Sequence, residues 1–376
     1  YNRVHLVLST NPDGRTRDEA NQNVLWRKNT NNNYCGNSNN RGADLNRNYP
    51  YGWEYNSYEC DETYAGSSAG SEPETAAIMN YALSVFPDQK GPDPDDLVNE
   101  LFATGMFIDL HSYSRLVLWP WGYTYDTAPN DASLRVMSYK FAYYNGHTPQ
   151  KSTELYPTTG STDDWMYGEL GVPGFCFEVG DTFHQSCSVF ENDINPNNQQ
   201  ALLRAIKIAR RPYRLAHGPE VTNLSLQTNP VLPGQNLVVN YTADDTLYST
   251  YLTGVPSSSI DSIRYSFDKP SWISGSNAKT IALRTQVPKY TAVFAASTTG
   301  LTPGQHTLFV ESLDGSGAWG PPTAIFFTVS DGSSPTPTFT PTLTLTPTAT
   351  PTPTFTPTIP ASDYEIYLPF ILSNLP

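Results

Sequence analysis

The chain has 376 residues, enough for two or three domains and at least one full hydrophobic core. Apolar residues make up 38% and charged residues 15%, which excludes a coiled coil and a highly charged disordered polypeptide. The formal net charge of −14 argues against nucleic acid as a partner, because phosphate binding needs clustered Lys and Arg.

In chain order, 3–8 (RVHLVL) is a short apolar run that reads as a core strand, and residue 1 is Tyr. The start of the first domain is therefore expected upstream, and the lack of a leader says nothing about export. Residues 72–85 (EPETAAIMNYALSV) have helical spacing, with Ser71 as the expected N-cap and Glu74 completing a capping box. A second buried strand is predicted over 105–110 and an amphipathic helix over 198–210. Alternation of this kind over residues 1–213 predicts a layered α/β domain. From 218 to 331 the pattern changes to short alternating runs at 221–226, 237–243, 263–267, 290–296, 307–313 and 324–329, separated by Gly, Pro and Ser. That predicts an all-β sandwich of immunoglobulin or fibronectin type. Residues 332–360 form a Thr-Pro linker that cannot build a core. Residues 361–376 are a short apolar tail, similar to the C-terminal tails of some bacterial surface and secreted proteins, which makes cell-surface attachment an expectation.

No run of 18 apolar residues exists, so no transmembrane helix is expected. The four cysteines fall into two local pairs, Cys35 with Cys60 and Cys176 with Cys187, and no CxxC supports a zinc ribbon or a thioredoxin-like site. Two disulfides in an oxidising compartment are predicted, against the alternative of four reduced thiols. With the Asn-, Ser-, Thr-, Tyr- and Pro-rich composition, this points to a secreted or cell-surface protein.

Several residues carry chemistry in unusual contexts. Asn46 and Arg47 lie in the turn-rich stretch 42–49 (GADLNRNY), where an Arg fork beside an amide suits a carboxylate ligand. His111 ends the run 106–110 (MFIDL), and strand ends are where ligating and catalytic groups emerge. Glu178 sits in the apolar run 174–180 (GFCFEVG), a costly place for a carboxylate that is not paired, ligating or catalytic. Singly, each has an ordinary structural explanation. In series they do not: Asn11-Pro-Asp-Gly14, Trp26-Arg-Lys-Asn29, Asp44-Leu-Asn-Arg-Asn48, Ser71-Glu-Pro-Glu74, His111-Ser-Tyr113, Trp119-Pro-Trp-Gly122, Tyr156 with Asp164-Trp165, and Phe177-Glu178 follow one another in order.

This series resembles the zinc metallocarboxypeptidases of the carboxypeptidase A/B/T type over residues 1–213. The resemblance implies an α/β/α mixed-sheet domain, here incomplete at its N-terminus, ahead of the sandwich. It implies a Zn2+ cofactor with His111 as one ligand, and peptide or protein substrates with a free C-terminus. Glu178 is then the carboxylate that takes a proton from the attacking water and gives it to the leaving amine. Arg27 stabilises the oxyanion. Asn46 and Arg47 clamp the substrate's terminal carboxylate, Tyr156 closes over the bound residue, and Tyr113 contacts the substrate chain. Asp163 takes the floor of the specificity pocket and implies a preference for C-terminal Lys or Arg, the alternative being an Asp turned to solvent and a broad preference. The family also has a bridge where Cys35 and Cys60 lie. One departure stands out: the family's other two ligands come from a His-x-x-Glu ahead of Asn-Pro-Asp-Gly, and no such motif precedes Asn11. Without those ligands the chain as it stands is expected to be inactive. The rival readings are an amidohydrolase on the same scaffold, disfavoured by Arg27, Asn46, Arg47 and Tyr156, and a non-catalytic peptide- or surface-binding protein.

Overall fold

A computed structural model describes residues 2–20, 25–37, 39–249 and 257–332 and the backbone of 369–372. The expected linker beyond residue 332 and the rest of the tail lie outside these residues. The first part opens with β1 (His5–Val7), α1 (Pro12–Ala20) and α2 (Pro73–Val85). It continues through β2 (Phe107–His111), β3 (Leu116–Trp119), α3 (Asp131–Asn145) and β4 (Thr148–Lys151). The short α4 (Ser152–Leu155), α5 (Thr162–Leu170), β5 (Gly174–Glu178), α6 (Cys187–Val189) and α7 (Asn195–Ile208) complete it.

One mixed sheet runs β1-β13-β2-β5-β3-β4, where β13 is the backbone of Pro369–Leu372, parallel to both β1 and β2. β2 and β5 are parallel neighbours in register His111 to Glu178, and β3 is antiparallel to β5. Helices α3 and α7 pack on this sheet through a core that includes Met137, Phe141, Phe175, Phe177, Ala201 and Ala205. A second cluster, with Phe107, Ile78, Ala82 and Trp165, joins α2 and α5 to the sheet. The α/β expectation is met.

Two local expectations change. The run 3–8 is not a buried strand: β1 is the outermost in the sheet, and Leu6 and Leu8 are 64% and 70% exposed. Ser71 is not the cap of α2. Pro73 takes the first helical position and needs no hydrogen-bond partner for its nitrogen, so Glu72 becomes the cap residue, without a side-chain capping bond. The Ser71 hydroxyl donates to the Glu72 carboxylate instead, and Asn29 Nδ2 donates to Glu74.

The second part is all β: β6 (Glu220–Leu226), β7 (Asn236–Asp244), β8 (Ile260–Phe267), β9 (Lys279–Ala282), β10 (Lys289–Ser297), β11 (Gly304–Asp314) and β12 (Thr323–Val329). Two antiparallel sheets, β10-β7-β6 and β12-β11-β8-β9, share one core built on Leu237, Val239, Tyr241, Ile263, Leu308 and Phe327. Six of these strands coincide with the alternating runs. The seventh, β9, is short, largely exposed and has no apolar alternation to reveal it.

Candidate active site

The site forms where β2 and β5 end side by side. In an extended strand, alternate residues share a face. On β5, Phe175 and Phe177 enter the main core while Cys176 packs with Leu116 and Leu118 on the other face, which Glu178 shares. On β2 the same alternation puts Asp109 beside His111, and Asp109 Oδ2 lies 3.0 Å from His111 Nε2. Thr162 Oγ1 donates to the same carboxylate at 2.6 Å. Burial disfavours the charged imidazole, but Asp109 outweighs it and holds the His111 pKa up at about 9. Burial also pushes the Glu178 carboxyl up, with His111 and Arg27 opposing. His111, Cys176 and Glu178 bring a nitrogen, a sulfur and an oxygen within 4.8 Å of one another, and the His111 nitrogen is a donor suited to a borderline metal such as zinc.

Arg27 approaches from the side, its Nε donating to Asp44 Oδ2 at 2.6 Å. Burial works against its charge, but the Asp44 carboxylate more than compensates and keeps the guanidinium protonated. Burial likewise pushes Asp44 up, yet Arg27 and Arg47 hold its carboxyl below the ordinary value. Asp44 also caps the single 3-10 turn Leu45–Arg47 by accepting from Asn46 N. Asn46 Oδ1 accepts from Thr162 N at 2.9 Å, and Arg47 Nη1 donates to the Asn46 carbonyl at 2.7 Å. The Asn46-Arg47 turn is thus fixed against the start of α5. Gly160 makes this approach: its φ is +65°, its carbonyl accepts from Tyr49 N, and a Cβ there would sit 2.3 Å from the Arg47 carbonyl oxygen.

Two adjoining cavities share Arg27, Arg47, His111 and Tyr156. The larger, about 390 Å³, is lined further by Asp18, Trp26, Phe183 and His184. The smaller, about 40 Å³, reaches Ser152, Asp163, Cys176 and Glu178. Asp163 is 3% exposed and accepts from Ser152 Oγ at 2.9 Å, so it faces the protein interior and not solvent. Its neighbour Asp164 accepts from Gly122 N and Tyr123 N. Tyr156 is half-exposed, with its ring 5.8 Å from the Arg47 guanidinium carbon. Tyr113 stands at the rim, edge-on to Phe183 at 4.7 Å between ring centroids.

Cys35 and Cys60 are bridged. Cys176 and Cys187 are not: both thiols are free, one buried and one exposed. The strand alternation explains the correction, since it aims Cys176 into the smaller cavity while Cys187 opens the exposed helix α6. Sequence reasoning gave no roles to Asp44 and Asp109, although Asp109's place two residues before His111 on a strand was a usable signal. Ser152, Phe183 and the His184–Asp18 contact across the cleft, at 2.8 Å, had none.

The site is thus a parallel strand pair ending in His111 and Glu178, with the Asn46-Arg47 turn beside it on an α/β domain. The zinc carboxypeptidase family model matches residues 2–204, just over half of the chain, and the protein belongs to that family. Dog carboxypeptidase B is 30% identical over 211 residues, covering 52% of this chain and 45% of its own length. Bovine carboxypeptidase B is 32% identical over 206 residues with the same coverage, and human mast cell carboxypeptidase A 32% over 208, again with the same coverage. The chain thus spans less than half the length of these relatives. A crystal structure of thrombin-activatable fibrinolysis inhibitor is 25% identical, with a TM-score of 0.33 over 42% of this chain and 38% of that one. Among the described residues no helix is long and apolar enough to cross a membrane.

Proposed function

We propose that the protein is a secreted exopeptidase that hydrolyses the C-terminal residue of peptides and prefers Lys or Arg. The observation that carries this reading is the register pairing of His111 with Glu178 at the floor of a cleft whose wall is the Asn46-Arg47 turn. Zinc would be held by His111 and, when bound, supplies the Lewis acid that polarises the scissile carbonyl and activates water. Asn46 and Arg47 take the terminal carboxylate, and their attachment to Thr162 and Asp44 means that little order has to be gained on binding. Arg27 presents positive charge where the oxyanion develops. Glu178, its carboxyl raised by burial, accepts a proton from water and passes it to the leaving amine. Tyr156, exposed at the mouth, covers the bound residue, and Tyr113 meets the chain further out. Asp163, buried at the end of the smaller cavity, pairs with a basic side chain. The 218–331 region is read as an immunoglobulin- or fibronectin-like sandwich domain, set apart from a catalytic domain of 1–213. The Cys35–Cys60 bridge supports an oxidising, extracellular location.

The experiment is release of C-terminal Arg, Lys, Leu and Phe by the zinc-loaded full-length gene product, beside Glu178→Gln. The variant is expected to lose roughly a hundredfold or more in kcat with its zinc content unchanged. Loss of zinc in step with activity would make Glu178 a ligand and not a base. A wild-type protein that binds such peptides without cleaving them would establish the non-catalytic reading.

A further inference from the structure

We propose that the two-sheet region is docked on the α3–α7 face as a fixed brace, aligned by a buried Arg204–Glu220 ion pair, so that both regions unfold as one unit. A tethered module would be joined by an exposed linker with few contacts across it. The junction here is the opposite. Gly218, Pro219 and Glu220 are all buried, and His217 Nε2 lies 2.9 Å from Ser133 Oγ at the start of α3. The backbones themselves touch: a Cβ on Gly320 would lie 1.7 Å from the Pro219 carbonyl oxygen, and one on Gly218 would lie 2.2 Å from Gly320 N. Neither position has room for a side chain, so the junction is clamped between the helical face and the β11–β12 connection.

The contact is registered by charge. Arg204 of α7 and Glu220 of β6 are 2% and 3% exposed, with Nη1 2.6 Å from Oε1, a charge contact off the line of a hydrogen bond. A buried charge deprived of its partner is strongly destabilising, whereas an apolar pair of similar volume in its place is often neutral. Lys140 of α3, also buried, donates to the Gly218 carbonyl at 3.3 Å and sits 4.7 Å from the Tyr248 ring. The Tyr248 hydroxyl is 3.1 Å from that of Tyr144 on α3. Beyond α7, the Arg210 guanidinium stacks 3.9 Å over Trp272, and burial pushes its pKa down to about 10. By strand register, Glu220 lies opposite Asp244 and Asp314 opposite Ile260, so the β7–β8 and β11–β12 connections share one end of the two sheets. End loops are where sandwich modules commonly carry recognition. Here the described residues of that end include Tyr248, beside Lys140 and Tyr144 of α3, so it braces the α/β domain.

The test is calorimetry of the full chain, with limited proteolysis across 211–219, and it needs no catalytic activity. One cooperative transition is expected for the wild type. Arg204→Met should lower Tm on the order of 5 °C, and Arg204→Met with Glu220→Leu should recover at least about half of that loss. Gly320→Ala, which leaves every charge in place, should split the transition or raise the junction's cleavage rate roughly tenfold or more. Two resolved transitions in the wild type would overturn the proposal. So would a double variant no more stable than Arg204→Met, or a Gly320→Ala protein with an unchanged transition and cleavage rate.

Discussion

Asp163 is the residue on which the proposed preference for Lys or Arg rests. It opens α5 and is enclosed by Ser152 and the β5 strand, with the Gly174 position so close that a Cβ there would sit 2.6 Å from the Asp163 carbonyl oxygen. The side chain so fixed lines the smaller cavity. In the zinc-loaded full-length gene product, Asp163→Ile should lower the Arg-over-Leu ratio of kcat/KM on the order of a hundredfold, since breaking a buried charge pair costs about 2–5 kcal/mol. An unchanged ratio would leave a carboxypeptidase of broad preference. The free thiols make a second residue-scale prediction. Cys187 is exposed and Cys176 buried, its thiol pushed well up by burial and by the nearby Glu178. Because the thiolate is the reactive species, a thiol reagent should label one cysteine of the native protein quickly and the second only on unfolding. Absence of any labelling in the denatured, unreduced protein would restore the second disulfide.

At the scale of elements, the site depends on strand ends and on one tight turn. β2 and β5 deliver His111 and Glu178 because they are parallel neighbours in matched register; a slip of one strand by one residue would put the two on opposite faces. The turn at 45–47 depends on Asp44 for its cap and on Gly160 for its clearance. Between α3 and β4, His147 is 4% exposed, with Nδ1 3.3 Å from the Leu116 carbonyl. Burial pushes its pKa down to about 4, the Leu116 carbonyl partly opposing. The unfolded chain takes up a proton near pH 6.5 that the folded protein refuses until about pH 4. Stability from this group is therefore complete above pH 6.5 and drains as pH falls, by on the order of 3 kcal/mol. Urea unfolding at pH 7 and pH 4 should show a smaller acid loss for His147→Gln than for the wild type. An equal loss in both would assign the acid sensitivity elsewhere.

At the scale of the whole molecule, composition, motif order and local periodicity determined a great deal: the change from mixed α/β to all-β, six of the seven strands of the second part, the family, and the residues that line the cleft. Such features are local or ordered along the chain, so they survive without coordinates. Pairing across the chain does not. Cys176 and Cys187 are neighbours in sequence, yet the twofold alternation of β5 turns one thiol into the cavity while the other begins an exposed helix. The 3–8 run has core-strand composition, but only its edge position in the sheet shows that Leu6 and Leu8 face out. Nothing in the sequence pairs Arg204, inside the 198–210 helix, with Glu220. Only the packing of β6 against α7 shows both removed from water, where each requires the other.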